Sequence, residues 1–559
     1  MSREPVALLR CGRRRLAGLV QLCATIVLPA TVTAQTNTAS VATSSVTSDA
    51  RDAEFFGESD GRDSDIFGGA EPAQPQGQVE TPVGFPPEGE ELDRSLTGDS
   101  SGRMFATLVD TNDRLQIGGR TYLRLDYSAA QEVAAEENRV SSPNLVDLYF
   151  DARPNDRLRA YARGRLRYNP TLTEGEISTN PFAPSGSPVS VSLDQLYAKF
   201  DVEQKLFVTV GKQSVKWGTG RFWNPTDFLN RQRLSPLEVF DERLGVGLVK
   251  LHVPFESLGW NLYAIASMDG ASSAEEIGGA ARAEILLDQT EVSLSAAARK
   301  DQPTILGLDI SSGVWLFDLR AELALTHGVK TSFWEGEFSI APVIESFDDL
   351  KTPKRVDRSD EWIPQLVLGA EVSIKYSDED NLTIGAEYFY NGAGYDDESQ
   401  YPWLVARNAG CGVLAETASS TTAKSLSQQL SCEGSASDSI PFLYLGKHYA
   451  AAYLLLMAPG SWNDTTVIAS ALANLSDLSM LMRLDWRVSL LTYLQANFYL
   501  SGHLGTHGGE FRFGSSIPLR GLTTIPGITL DPAFAGLAQA GIQWPAPLFE
   551  AGLGMTLNF

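Results

Sequence analysis

Residues 157–168 read Arg157-Leu158-Arg159-Ala160-Tyr161-Ala162-Arg163-Gly164-Arg165-Leu166-Arg167-Tyr168. Arginine stands at nearly every second position, and Leu158, Ala160, Ala162, Gly164, Leu166 and Tyr168 fall between. Alternation of period two marks an extended strand with two unlike faces. The face carrying Arg157, Arg159, Arg163, Arg165 and Arg167 needs water, while the other needs an apolar neighbour. One such strand would fit the exposed side of a soluble sandwich. Here the pattern recurs from about residue 103 to the end of the chain.

Upstream, Leu115, Ile117, Gly119, Thr121, Leu123, Leu125 and Tyr127 alternate with Gln116, Gly118, Arg120, Tyr122, Arg124 and Asp126. Val146, Leu148, Phe150 and Ala152 alternate with Asp147, Tyr149 and Asp151. Downstream, Leu366 to Tyr376 and Leu382 to Tyr390 repeat the pattern. Met482, Leu484, Trp486 and Val488 then face away from Arg483, Asp485, Arg487 and Ser489. Polar residues inside and apolar residues outside invert the soluble arrangement. A closed barrel in a bilayer satisfies both faces and every backbone amide. Tyr127, Tyr168, Tyr376 and Tyr390 lie near segment ends, where an interfacial girdle would sit.

Connection lengths give a second signal. Short turns are expected at 154–156, 201–205, 254–258, 288–290, 311–313 and 377–380, and long loops at 169–188, 218–243, 327–361, 391–441 and 503–546. Short connections on one side and long ones on the other fit periplasmic turns and extracellular loops. The expected fold is therefore all-β, a closed up-and-down antiparallel transmembrane barrel over 103–559. It has about 18 strands if 536–546 belongs to the last loop, with 16 as the alternative.

The chain has 559 residues, with 45 Lys plus Arg against 69 Asp plus Glu, for a net charge of −24. That balance argues against a nucleic-acid partner, which calls for a basic face. Mean hydropathy is −0.11, and only the N-terminus approaches an apolar run of helical-span length. There, Arg3, Arg10 and Arg13 to Arg15 precede an apolar stretch from Leu16 to Ala30, closing on Val32-Thr33-Ala34. This is the layout of a secretory signal over 1–34. Between Asp49 and Asp99 there are 14 acidic residues against 3 arginines. The segment 35–102 is expected to be disordered, since it buries too little apolar surface to offset chain entropy. It could also plug the lumen from the periplasm. Cys411 and Cys432, left in an exported chain once Cys11 and Cys23 depart with the signal, are expected to form a disulfide within one loop.

Enzyme chemistry finds no support. Gly57-Glu58-Ser59-Asp60-Gly61 matches a nucleophile-elbow pattern but lies in the acidic tract rather than on a strand-to-helix turn. His503 and His507 have i, i+4 spacing in a Gly-rich loop, not on a helix. No catalytic residue, metal or cofactor is expected.

The final segment places Phe549, Ala551, Leu553, Met555, Leu557 and Phe559 on one face. It resembles the C-terminal strand of bacterial outer-membrane barrels, and this resemblance implies that Phe559 is an assembly signal read by the barrel-assembly machinery. The stretch Gly211-Lys212-Gln213-Ser214-Val215-Lys216-Trp217-Gly218, running on to Phe222-Trp223-Asn224-Pro225-Thr226-Asp227, is similar to Gly-Lys/Arg-Gln and Trp-Gly stretches of the porin-like superfamily. The resemblance implies an outer-membrane location, lipid contact and passage of small solutes. It leaves room for a homo-oligomer, trimers being common among such barrels.

A barrel of this size encloses an aqueous channel unless filled. Arg120, Arg124, Arg157, Arg159, Arg163, Arg165, Arg167, Arg483 and Arg487 form a basic inner wall, because strand 16 of 18 lies close to strand 1 around the ring. Asp318, Glu322, Glu371 and Glu387 would lie opposite. One reading is a transverse field with an arginine track favouring small anions. The other is a structural network in which Asp126, Asp147 and Asp151 neutralise the arginines. The segment 218–243, with Arg221, Phe222, Trp223, Arg231, Arg233 and Arg243, is either an inward constriction or an ordinary extracellular loop. The function expected is a porin-like channel for passive diffusion of small hydrophilic solutes; the alternative is a surface adhesin or structural barrel with long loops.

Overall fold

In a computed structural model, the described residues are 114–559, apart from 156, 173–186, 231–243, 331–332, 341–349, 378–379, 406, 408–442 and 518–541. The expected signal and acidic tract, and Cys411, Cys432, Arg231, Arg233 and Arg243, lie outside them.

Eighteen long strands make up the barrel. In chain order they are β1 Leu115–Ala130, β2 Asn144–Asn155, β3 Leu158–Tyr168, β4 Val189–Val202, β5 Leu206–Gln213 and β6 Val246–Phe255. Next come β7 Trp260–Ser267, β8 Gly278–Leu287, β9 Thr290–Ala298, β10 Thr304–Val314, β11 Phe317–His327 and β12 Trp362–Lys375. The last six are β13 Asn381–Asn391, β14 His448–Met457, β15 Thr465–Asn474, β16 Ser479–Leu491, β17 Leu494–Gly505 and β18 Pro547–Asn558. Each pairs antiparallel with the next, and β18 returns to β1, where Tyr122 faces Thr556 and Leu125 faces Leu553. Closure leaves no sheet edge unpaired.

Exposure separates the two faces. Leu123 and Leu125 are 47% and 53% exposed, whereas Arg124 and Asp126, each one residue further on, are 8% and 5% exposed. The same contrast sets exposed Leu148 and Phe150 against buried Asp147 and Asp151. The outer surface is apolar and the inner surface is charged, so this is a transmembrane barrel, and its place is the bacterial outer membrane.

Connections alternate as the sequence suggested, with one correction. The turn expected at 311–313 does not exist: Ser311, Ser312 and Gly313 stay in the ladder opposite Arg320, Leu319 and Asp318, and the chain reverses at Trp315-Leu316. Trp315 is 87% exposed, and the membrane–water interface favours an exposed indole there over burial of a polar turn.

Candidate functional site

The inner wall is built from strand alternation plus one interruption. On β3, Arg159, Tyr161, Arg163, Arg165 and Arg167 face inward, opposite Lys199, Tyr197, Gln195, Ser192 and Ser190 of β4. Between Gln195 and Leu193 the register shifts, so β4 carries one extra residue, Asp194, at the level of Arg163 and Gly164. A bulge of this kind lets two successive side chains point the same way, and Asp194 and Gln195 are both buried.

The arginines meet carboxylates on neighbouring strands. Arg165 donates through Nε and Nη2 to the two oxygens of Asp147 at 2.7 and 2.8 Å. Arg163 donates through Nε to Asp194 at 2.5 Å, and Arg120 reaches Asp147 at 3.3 Å. Arg159 and Arg153 share Asp151 at 2.9 and 2.8 Å. Around the seam, Arg124 bonds Asp126 at 2.7 Å and the Tyr499 hydroxyl at 2.9 Å, while Arg483 grips Asp485 and lies 4.1 Å over the Tyr499 ring. Asp126, Asp147 and Asp151 thus do sit among the arginines, and Asp194 and Asp485 join them. Arg167 and Arg487 are half-buried on the same wall, whereas Arg157 is exposed at the β2–β3 turn. Tyr149, Tyr161 and Tyr197 stack across β2, β3 and β4 with ring centroids 6.1 and 5.4 Å apart.

The opposite wall behaves differently. Glu322, halfway along β11, is almost completely buried and accepts the backbone N–H groups of Thr219 and Gly220, both at 2.5 Å, and the Thr226 hydroxyl at 3.0 Å. Glu387 on β13 accepts the backbone N–H of Arg221 and that of Phe222, the latter at 2.8 Å. Glu371 on β12 meets the guanidinium groups of Arg221 at 3.2 Å and Arg320 at 3.1 Å, and the hydroxyl of Tyr453. The donors come from the connection that leaves β5 after Gln213. It crosses inside the barrel, with Trp217 beneath Arg282 of β8, Trp223 stacked on Phe389 of β13 at 5.4 Å, and Phe222 against Tyr453 of β14. Between the two expectations for 218–243, the described part, 218–230, takes the inward course. Gly218 has φ of +96°, a left-handed conformation that glycine adopts without strain. Asp318 is exposed near the Trp315-Leu316 turn, directly across from Glu371 in the ladder, and makes no ion pair among the described residues.

Closed strands, an apolar exterior, a charged interior and a connection folded inside are now all in place. The fold is that of a porin-like outer-membrane barrel. No family model and no curated protein matches the sequence. Among solved structures, the chain is similar to Pseudomonas aeruginosa OpdK crystallised with vanillate, at 10% identity and a TM-score of 0.41, covering 79% of this chain and 98% of that one. It is also similar to OccK9 (OpdG) of the same organism, at 12% identity and a TM-score of 0.41, covering 79% and 99%. For Salmonella typhi OmpF in complex with daunomycin the values are 10%, 0.34, 80% and 97%.

Two groups of residues escape a reading of the sequence. Asp194 follows the inward set Ser190 and Ser192, but alternation counted back from Tyr197 and Gln195 turns it outward; the two halves of β4 are out of phase and only the bulge reconciles them. Arg282 with Glu284 at 2.8 Å and Asp309 at 2.5 Å forms a further buried network on β8 and β10. Alternation places these three inward, and tracking charge on all strands rather than on the arginine-rich ones would have found them.

Outside the strands, the mouth is organised around Glu510. Its carboxylate accepts the backbone N–H groups of Tyr444 and Leu445 at 2.5 and 3.1 Å, the Tyr449 hydroxyl, and Asn474 Nδ2 at 3.0 Å. Burial pushes its pKa up to about 7; the Tyr449 hydrogen bond opposes that and the nearby Asp477 adds to it. Tyr401, Trp403, Trp334, Phe513 and Trp544 form an apolar cluster alongside.

Proposed function

We propose that this protein is an outer-membrane channel for passive diffusion of small hydrophilic solutes, with a preference for small anions. The observation that carries the reading is the segment 218–230 lying inside the barrel, bound to β11 and β13, while the guanidinium wall of β1 to β3 and β16 stands elsewhere around the ring. A lumen narrowed from one side sends solutes along the other. On that side Arg120, Arg124, Arg159, Arg163, Arg165, Arg167, Arg483 and Arg487 outnumber Asp126, Asp147, Asp151, Asp194, Asp485 and Glu550. Arg120 and Arg159, whose side chains keep 20% of their surface open, still present N–H groups to which a passing carboxylate or phosphate can bond, while the buried Arg165, Arg163, Arg124 and Arg483 act through their field. Because each pair cancels much of its own field, the preference is expected to be modest.

Purified protein in planar bilayers tests the reading. Discrete openings with a reversal potential on the anion side are expected under a salt gradient. A silent bilayer would overturn the channel and favour a surface-display role; cation preference unchanged in R163A/R165A would overturn the arginine track.

A further inference from the structure

The geometry points to Asp194 as the residue that sets the charge selectivity of the lumen, by holding Arg163 and the neighbouring Arg165 in a partly neutralised state. This rests on the arginine-wall reading above and goes further in naming the group that controls it. Asp194 follows Ser190 and Ser192 on the inward face of β4, and the bulge turns Gln195 in beside it, next to two arginines placed near the middle of β3. Its Oδ2 binds Arg163 at Nε and Nη2 and lies 3.9 Å from Arg165 Nη2. Among the described residues Arg163 has no other carboxylate partner, whereas Arg165 is held through both Nε and Nη2 by Asp147. Arg163 is therefore bonded by one carboxylate, while Arg165 is bonded by Asp147 and also lies close to Asp194.

The bulge itself is supported from outside the pair. Lys212 Nζ donates at 2.7 Å to the Leu193 carbonyl. The backbone N–H of Gly245, the residue before β6, lies 3.1 Å from the Asp194 carbonyl and 3.2 Å from its Oδ1. A Cβ at Gly245 would come within 2.7 Å of that carbonyl, so a larger residue would push the bulge aside. Since Gly245 ends the connection whose described part crosses the lumen, Asp194 is fixed where that connection rejoins the wall. A buried carboxylate held at a bulge by two strands and a loop end is in a position to control what the arginines present.

The test is the reversal potential of full-length wild type, D194N, D147N and R163A/R165A under a potassium chloride gradient. All are first checked for heat-modifiable migration as folded barrels. D194N is expected to raise the chloride-to-potassium permeability ratio about threefold, the order expected for one unit charge at channel distances with salt screening. D147N should give a smaller rise, because Asp147 bonds Arg165 and Arg120 and not Arg163, and R163A/R165A should lower the ratio. If R163A/R165A lowers the ratio but D194N leaves it at the wild-type value, Asp194 is not the control and the arginine wall survives. If R163A/R165A also changes nothing, the wall reading itself is overturned and the role of Asp194 with it. Should D194N fail to fold, D194S and the glycine-site variant G245A, which disturbs the bulge without touching a charge, must both raise the ratio, and a wild-type ratio in both overturns the proposal.

Discussion

The two charged walls of the lumen use similar residues in opposite ways. On β1 to β4 and β16, guanidinium groups meet carboxylates of the same or neighbouring strands, so charge is balanced within the wall. On β11 and β13, Glu322 and Glu387 meet backbone N–H groups that arrive from the β5–β6 connection, far away in sequence. A carboxylate beside arginine tunes a surface, while a carboxylate facing backbone amides fastens a chain segment. Neither role can be read from the side chain alone.

That contrast is open to direct challenge, and the largest effect is expected on the basic wall. R165A leaves Asp147 buried without its two-pronged partner and should cost about 3–5 kcal/mol, the usual range for breaking a buried pair. Thermal loss of the heat-modifiable band would report it. R165M/D147L, which removes both charges, should recover most of the loss; equal damage from both variants would contradict the pairing.

The acidic wall should respond in conductance rather than in stability. E322Q/E387Q keeps the side-chain size but weakens the acceptors for the N–H groups of Thr219, Gly220 and Phe222. Each charge-assisted hydrogen bond is worth roughly twice a neutral one, and the segment should leave the wall for part of the time. Single-channel conductance should rise about twofold with more flicker, in line with a lumen cross-section relieved of one inserted segment. Wild-type traces would show that the carboxylates do not hold it.

The mouth extends the comparison, because Glu510 resembles the acidic wall in accepting backbone N–H groups from another loop. Its pKa of about 7 in the folded protein lies above the ordinary 4.5. A carboxylic acid with a raised folded pKa takes up its proton more readily when the loops are docked. Docking is therefore favoured as pH falls from about 7 toward 4.5, and the advantage disappears once the group is ionised above 7. Gating noise should be lower at pH 5 than at pH 8 in wild type and independent of pH in E510Q. The smallest effect is expected from D318N, whose conductance and selectivity should match wild type, as befits an exposed carboxylate with no ion pair among the described residues.

Much of this architecture was legible from the chain, because alternation is a local property and a barrel is built from local hairpins. The lipid-facing sets around Leu123 and Leu148, and the strand count of 18, follow from it. The turn at Trp315-Leu316 was misplaced because Ser311-Ser312-Gly313 looks like a breaker, although the ladder with β11 holds it extended. The bonds of Glu322 and Glu387 were not legible at all. Their partners lie about a hundred residues or more away, and no periodicity marks a carboxylate that will meet a foreign backbone. Asp194 was missed for a third reason: the two halves of β4 are out of phase across the bulge, so its face depends on the end from which alternation is counted.

The seam between β1 and β18 has a consequence for the order of events in biogenesis. All other neighbouring strands in the ring are consecutive in the chain, whereas Gly119 exchanges hydrogen bonds with Phe559, the residue after β18, N to O at 2.7 Å and O to N at 3.0 Å. A hairpin needs only neighbouring stretches of chain, but the ring has to wait for β18. A chain cut short before β18 therefore keeps an open sheet with two bare margins.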